Sequence, residues 1–347
     1  MTIIAGWTDP KTSECVCVAD ILLTRPTPGE EALVDLPFTG KRPEQLGVHH
    51  AGGMGQKLIL LTPNDAILWA GSQIVAHAII DAVREALALG RDFLLSEIIK
   101  EMGLAQHEVE AIALIYYKFR TESGLSRNVI HAERVMKDDL SLAYAGSGKF
   151  DFISNMAIAL PDGTSMTMFN RALSYVCYTS LAEQHDDDPK NFAYGGWFEI
   201  CRFGGYFQKV PYRIHLWSME SGKLSSGAVL EAWYVGHDLF IRRFNTGGRH
   251  DALFHLSDPL RREQITFEAD INPTRPPKFQ YHSFFDAKGI STGMVMPGDS
   301  PDCYVNYGSK GREIHINQAF LDEAKKHIDA DVKDRPSVSK PFNIYPG

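Results

Sequence analysis

Residues 1–24, MTIIAGWTDPKTSECVCVADILLT, decide the fold. A β-branched apolar run from Thr2 to Trp7 gives way to the polar, turn-rich TDPKTS, and then to ECVCVAD over 14–20. This pattern predicts a hairpin of two strands, 2–7 and 14–20. Chain ends are ordinarily frayed, so a strand that starts at Thr2 needs a reason. Either it is tucked into a sheet for stability, or the threonine at its head is itself the reactive group.

Working outward, residues 25–56 carry Pro26, Pro28, Pro37, Pro43 and the run GGMG at 52–55, which reads as a loop or insertion. KLILL (57–61), the turn TPND and AILWAG (66–71) predict a second pair of strands. From Ser72 the apolar residues Ile74, Val75, Ala78, Ile79, Ala82, Val83 and Leu87 recur at helical spacing until Gly90. A second helix is predicted over 93–102, strands over 111–119 and 128–135, and helices around 150–160 and 165–183. Strands around 197–203 and 210–219, a long hairpin over 228–244 and a helix over 317–328 follow. Strands and helices come in blocks, which suits class α+β better than an alternating parallel sheet. A four-layer αββα sandwich, two antiparallel sheets covered on both outer faces by helices, accommodates the order. The expected organisation is a core over 2–220 with an insertion at about 25–56, and further strands and a C-terminal extension over 221–347.

Composition narrows the function classes. The chain has 347 residues, 44% of them apolar and 22% charged, enough for a sizeable core. A formal net charge of -8 argues against nucleic acid as the main partner. No apolar run reaches the ~20 residues of a membrane span, and the start lacks the basic and apolar regions of a secretory signal. Five scattered cysteines, at 15, 17, 177, 201 and 303, suit buried thiols and a reduced cytoplasm. GGMGQK (52–57) and AGSGK (145–149) lack phosphate-loop spacing. His49-His50 and the run His185 to Asp188 lack partners at ligand spacing, so neither a metal nor a cofactor is expected. Trp233, Tyr234 and Phe240 offer a candidate surface for self-association.

The chemistry lies in a constellation. Asp20 and Thr24 end the hairpin in VADILLT. Lys57 opens a strand, and fourteen residues later Ala70-Gly71 starts a helix. Gly146-Ser147-Gly148 precedes another helix, and Tyr194-Gly195-Gly196 leads into a strand. Taken in order with Thr2, these residues resemble the proteasome β-subunit and HslV family of N-terminal nucleophile hydrolases over about residues 2–220.

The resemblance implies an amide hydrolase, acting on a peptide or other amide substrate, that needs no cofactor and assembles as a homo-oligomer. Thr2, freed by removal of Met1, would be its nucleophile. A threonine hydroxyl needs an adjacent base, and an α-amine of pKa ~7.7–8.0 has the right strength. Lys57, oriented by Asp20, would set the electrostatics, and the Gly71 N–H would hold the oxyanion. Thr24 would contact substrate, and Ser147 would support the amine. Asn191 and Tyr194 stand where the family has an aspartate and a serine, which implies slow turnover. Lys41 is a rival to Lys57 but lacks the strand context. Two other readings stay open: an inactive proteasome-like scaffold or assembly subunit, and a small-molecule amidase.

Overall fold

The computed structural model describes residues 2–9, 11–25, 37, 50–137, 140–149, 152–153, 168–169, 172–173, 175–176, 196–220, 223–245, 251–259, 277–286, 291–308 and 311–334. The opening hairpin is β1 (Ile4–Thr8) and β2 (Cys15–Asp20), paired antiparallel with Ile4 opposite Ala19. Every residue of β2 is buried, so both faces of the hairpin lie inside the protein. The period of two sorts them: Ile3, Ala5, Trp7, Val16 and Val18 join one core, and Ile4, Cys15, Cys17 and Ala19 the other. On the far side of β1 lies β10 (Leu140–Ala145), followed by β9 (Glu133–Lys137). Beyond β2 lie β11 (Phe198–Phe203) and β12 (Phe207–Lys209), completing a six-stranded antiparallel sheet.

A four-stranded antiparallel sheet packs on its inner face. It comprises β5 (Leu58–Thr62), β6 (Asp65–Gly71), β7 (Ile112–Arg120) and β8 (Gly124–Ile130). Small residues, Ala66 and Ala70 from one sheet and Ala19, Ala143 and Ala145 from the other, line this contact. The opposite face of the four-stranded sheet, with Ile67, Trp69, Leu114 and Tyr116, is covered by α1 (Gln73–Ala88) and α2 (Leu95–Met102). Ser72 caps α1 by accepting from the Val75 N–H, and Ile79, Ile80 and Val83 form its buried stripe. A short α3 (Gln106–Glu110) leads into β7.

The expected four-layer αββα sandwich is contradicted. The described residues form twenty strands and four helices, so sheets supply most of the layers. The outer face of the first six-stranded sheet packs against a second six-stranded sheet, together with helical residues such as Phe152, Leu173 and Val176. That second sheet is ordered β16 (Asp251–Leu256), β15 (Asp238–Asn245), β14 (Lys223–Val235), β13 (Tyr212–Glu220), β17 (Phe279–Asp286) and β18 (Ser291–Pro297). Its inward residues Tyr212, Ile214, Leu216, Leu230 and Ile241 belong to the same core as Trp7 and Val18. β13 pairs with β14 along its length, so residue 220 falls at the turn of a hairpin. The helix α4 (Gln318–Asp334) and the hairpin β19 (Cys303–Gly308)–β20 (Gly311–Ile316) pack on this sheet through Phe320, Cys303 and Ile314.

Two local expectations also change. The single strand expected over 128–135 is broken at His131, which takes φ 48°, so β8 and β9 belong to different sheets. Trp233 and Phe240 are buried rather than surface-forming: β14 and β15 are interior strands, the two rings stack at 5.6 Å, and Arg242 lies 5.3 Å from the Trp233 ring. The helices expected around 150–160 and 165–183 fall mostly outside the described residues. No helix among the described residues is long and apolar enough to cross a membrane.

Candidate active site

The ends of β1 and β2 and the entry to β5 meet at one buried point. Asp20, the last residue of β2, accepts the Ile3 N–H on Oδ1 at 2.9 Å, which fixes its carboxylate beside Thr2. Lys57, immediately before β5, reaches the same place. Its Nζ donates to Thr2 Oγ1 at 2.7 Å, to Asp20 Oδ1 at 2.9 Å and to the Leu22 carbonyl at 2.5 Å. An ammonium carries three donors, and here each has an acceptor. Asp20 and Lys57 are fully buried and Thr2 is 9% exposed. Burial pulls the Lys57 ammonium below its usual range, while the Asp20 carboxylate and, more weakly, Glu199 pull it back up.

The glycine-serine-glycine turn after β10 holds the backbone of the same threonine. The Thr2 N–H donates to Ser147 Oγ at 3.1 Å, and the Gly148 N–H donates to the Thr2 carbonyl at 3.2 Å. Gly146 has φ 109°, and a Cβ there would stand 2.0 Å from the Thr2 carbonyl oxygen, so no other residue type fits without displacing Thr2. Thr2, Asp20, Lys57 and Ser147 are thus brought together from four separate segments.

Gly71 stands apart from this hydrogen-bonded set. It closes β6 two residues beyond Trp69, whose N–H donates to the Lys57 carbonyl at 3.0 Å, and its backbone is exposed just before the Ser72 cap of α1. Its φ of 94° and the Ala111 carbonyl, 2.0 Å from where a Cβ would be, require glycine. Thr24 lies on β3 (Leu22–Arg25), which pairs with β4 (His50–Met54), and its side chain is outside the described residues. Asn191, Tyr194 and Lys41, and most of the 25–56 insertion, also lie outside them.

Sequence reasoning missed Glu199. On β11, opposite Ala19, its fully buried carboxylate accepts the N–H groups of Lys57 (2.8 Å) and Leu58 (3.1 Å) on Oε2, and Lys209 Nζ (2.6 Å) on Oε1. The signal was present in WFEICRF, where one acid interrupts an apolar strand.

A second buried polar cluster lies between β13 and β17. The donor atoms of His215, His282 and Cys303 lie within 4.8 Å of one another. The hydrogen bonding of His282 argues against a coordination shell, whereas His215 keeps an Nδ1 unpartnered among the described residues. The Gln280 amide donates to the carbonyls of Pro297, Gly298 and Cys303, so its Oε1 must accept from His215 Nε2–H at 2.9 Å. The Trp217 indole N–H donates to His282 Nδ1 at 3.1 Å, which leaves the proton of the neutral imidazole on Nε2, where a ligand would need a lone pair. The two imidazoles also stack, at 4.5 Å and 17° between their planes. Burial holds both rings neutral, His282 at about 3.

Neither a scan against models of known protein families nor a search of curated proteins returns a match for this chain.

Proposed function

We propose that the chain is a threonine-dependent hydrolase of amide bonds, with peptides as the expected substrates. The observation that carries this reading is the buried contact of Lys57 Nζ with both Thr2 Oγ1 (2.7 Å) and Asp20 Oδ1 (2.9 Å). A hydroxyl beside a buried ammonium is favoured as its alkoxide, and the low local dielectric strengthens that preference. Removal of Met1 would give Thr2 a free amine already directed at Ser147 Oγ. In the proposed step, Thr2 Oγ1 attacks the amide carbonyl carbon while its proton passes to the Thr2 amine. The tetrahedral oxyanion would be held by the N–H of Gly71, an exposed residue at the end of β6. The protonated amine then delivers its proton to the leaving nitrogen as the C–N bond breaks, leaving an ester on Thr2 that water cleaves. Four buried, unbridged thiols at 15, 17, 201 and 303 suit a reduced compartment such as the cytoplasm. Self-association belongs to the same proposal.

A second reading keeps the same residues as structure. All three Lys57 donors are satisfied, as they would be in a core ion pair of an inactive scaffold subunit. A threonine-directed electrophile such as a peptide epoxyketone separates the two. Peptide mapping should find a covalent adduct on Thr2, lost in Thr2→Ala and Lys57→Ala and kept in Lys41→Ala. No adduct on protein verified to begin at Thr2 would favour the scaffold. Turnover of small amides but not of peptides would instead identify a small-molecule amidase.

A further inference from the structure

We propose that Glu199 is a positioning residue for Lys57, and that Lys209 and Gln56 extend this support to the second six-stranded sheet. The inference rests on the reading of Thr2 and Lys57 given above. A lysine side chain has four rotatable carbons, so the aim of its ammonium depends on how firmly its backbone is held. Glu199 Oε2 holds the N–H of Lys57 itself, at 2.8 Å, and of the next residue, at 3.1 Å. The preceding residue is held as firmly. The Gln56 carboxamide donates to the carbonyls of His237 (3.0 Å), Leu256 (2.9 Å) and Ser257 (3.0 Å), and its backbone carbonyl accepts the Trp69 indole N–H at 3.2 Å.

Lys209 joins the two anchors. Its Nζ donates to Glu199 Oε1 at 2.6 Å and to Gln56 Oε1, and lies 5.2 Å from the centre of the Tyr234 ring on β14. His237 is in the β14–β15 turn, and Leu256 and Ser257 are at the end of β16, so two parts of the second sheet bear on the residue before Lys57. The four charges Asp20, Lys57, Glu199 and Lys209 all lie at 7% side-chain exposure or less and form two ion pairs, Lys57–Asp20 and Lys209–Glu199. An ion pair serving stability alone would not need to grip the backbone of this particular lysine. Burying it costs desolvation that hydrophobic packing would avoid.

Two variants act on Lys57 in opposite senses. Glu199→Gln keeps an acceptor oxygen for the two N–H groups but removes a negative charge near Lys57. Lys209→Met removes a positive charge and leaves Glu199 more strongly negative. The Lys57 side-chain NMR resonance should therefore titrate at lower pH in Glu199→Gln and at higher pH in Lys209→Met. Adduct formation at Thr2 by a peptide epoxyketone should slow by at least about tenfold in Glu199→Ala, which leaves both N–H groups without their acceptor and the reacting group misdirected, and by less in Glu199→Gln, which keeps one. If both charge variants leave the Lys57 titration, and Glu199→Ala the adduct rate, at wild-type values, Glu199 is structural and the inference is overturned. If wild-type protein forms no adduct, the hydrolase reading fails, while the opposed shifts of the Lys57 resonance still decide the coupling. Should Glu199→Gln fail to fold, the upward shift in Lys209→Met decides it alone.

Discussion

The cluster at the head of β1 and the cluster between β13 and β17 are both buried and both polar, yet their chemistry differs. Around Thr2 the groups are charged and paired, and one of them, Lys57 Nζ, donates to a hydroxyl oxygen. Between β13 and β17 the imidazoles are held neutral and stacked against Trp217, with Phe320 edge-on to His282, and His215 is tied to backbone carbonyls through Gln280. Even the charged pair beside them, Arg213 with Glu231 at 3.0 Å, is closed off by the Tyr307 hydroxyl. Burial and hydrogen bonding therefore do not by themselves mark a site. What distinguishes the first cluster is that one of its charges, the Lys57 ammonium, contacts a hydroxyl oxygen.

The comparison can be broken by cutting one ion pair in each cluster. Asp20→Asn leaves the Lys57 ammonium without its nearest countercharge, and Arg213→Met leaves Glu231 unpaired. Removing one partner of a buried pair costs about 3–5 kcal/mol, so both variants should unfold at lower urea concentration. Only Asp20→Asn should also abolish the Thr2 adduct. Loss of the adduct in Arg213→Met, in protein shown to be folded, would erase the distinction between the clusters.

A smaller effect sharpens it through acid. The His282 imidazole titrates at about 3 in the fold because burial disfavours its charge, against about 6.5 in an unfolded chain. The unfolded chain binds more protons between these values, so stability falls as pH drops from about 6.5 toward 3. The slope from this residue is about 1.4 kcal/mol per pH unit. His282→Gln offers an acceptor to the Trp217 indole but does not titrate. Denaturant midpoints measured from pH 7 to pH 4 should fall less steeply in this variant than in wild type. An unchanged slope would mean that the imidazole does not control acid stability.

The parts legible in the sequence were the local ones. Short apolar runs bounded by turn residues over 2–7, 14–20 and 57–71, and the Ser72 cap with its helical stripe, depend on neighbours within one or two turns of chain, so β1, β2, β5, β6 and α1 follow from them. The parallel pairing of β13 with β17 joins His215 to His282 across sixty-odd residues, and no periodicity encodes it. That pairing is why a sheet closes the face where helices were expected. Trp233 and Phe240 looked like surface because an aromatic-rich hairpin reads the same whether one face or both are covered. At the site, Thr2, Asp20, Lys57 and Ser147 were named through the resemblance of their order and spacing to the N-terminal nucleophile hydrolases. Glu199 was passed over because its partners are two backbone N–H groups and Lys209, which no motif records.

The most direct measurement compares two forms of this same chain. One begins at Thr2, and the other keeps Met1 because methionine aminopeptidase was inhibited during expression. Each is treated with a peptide epoxyketone and weighed intact. The account predicts one covalent adduct on the form beginning at Thr2 and none on the form keeping Met1, since only a free α-amine can take the Thr2 proton. Equal modification of both forms, or none of either, would contradict it.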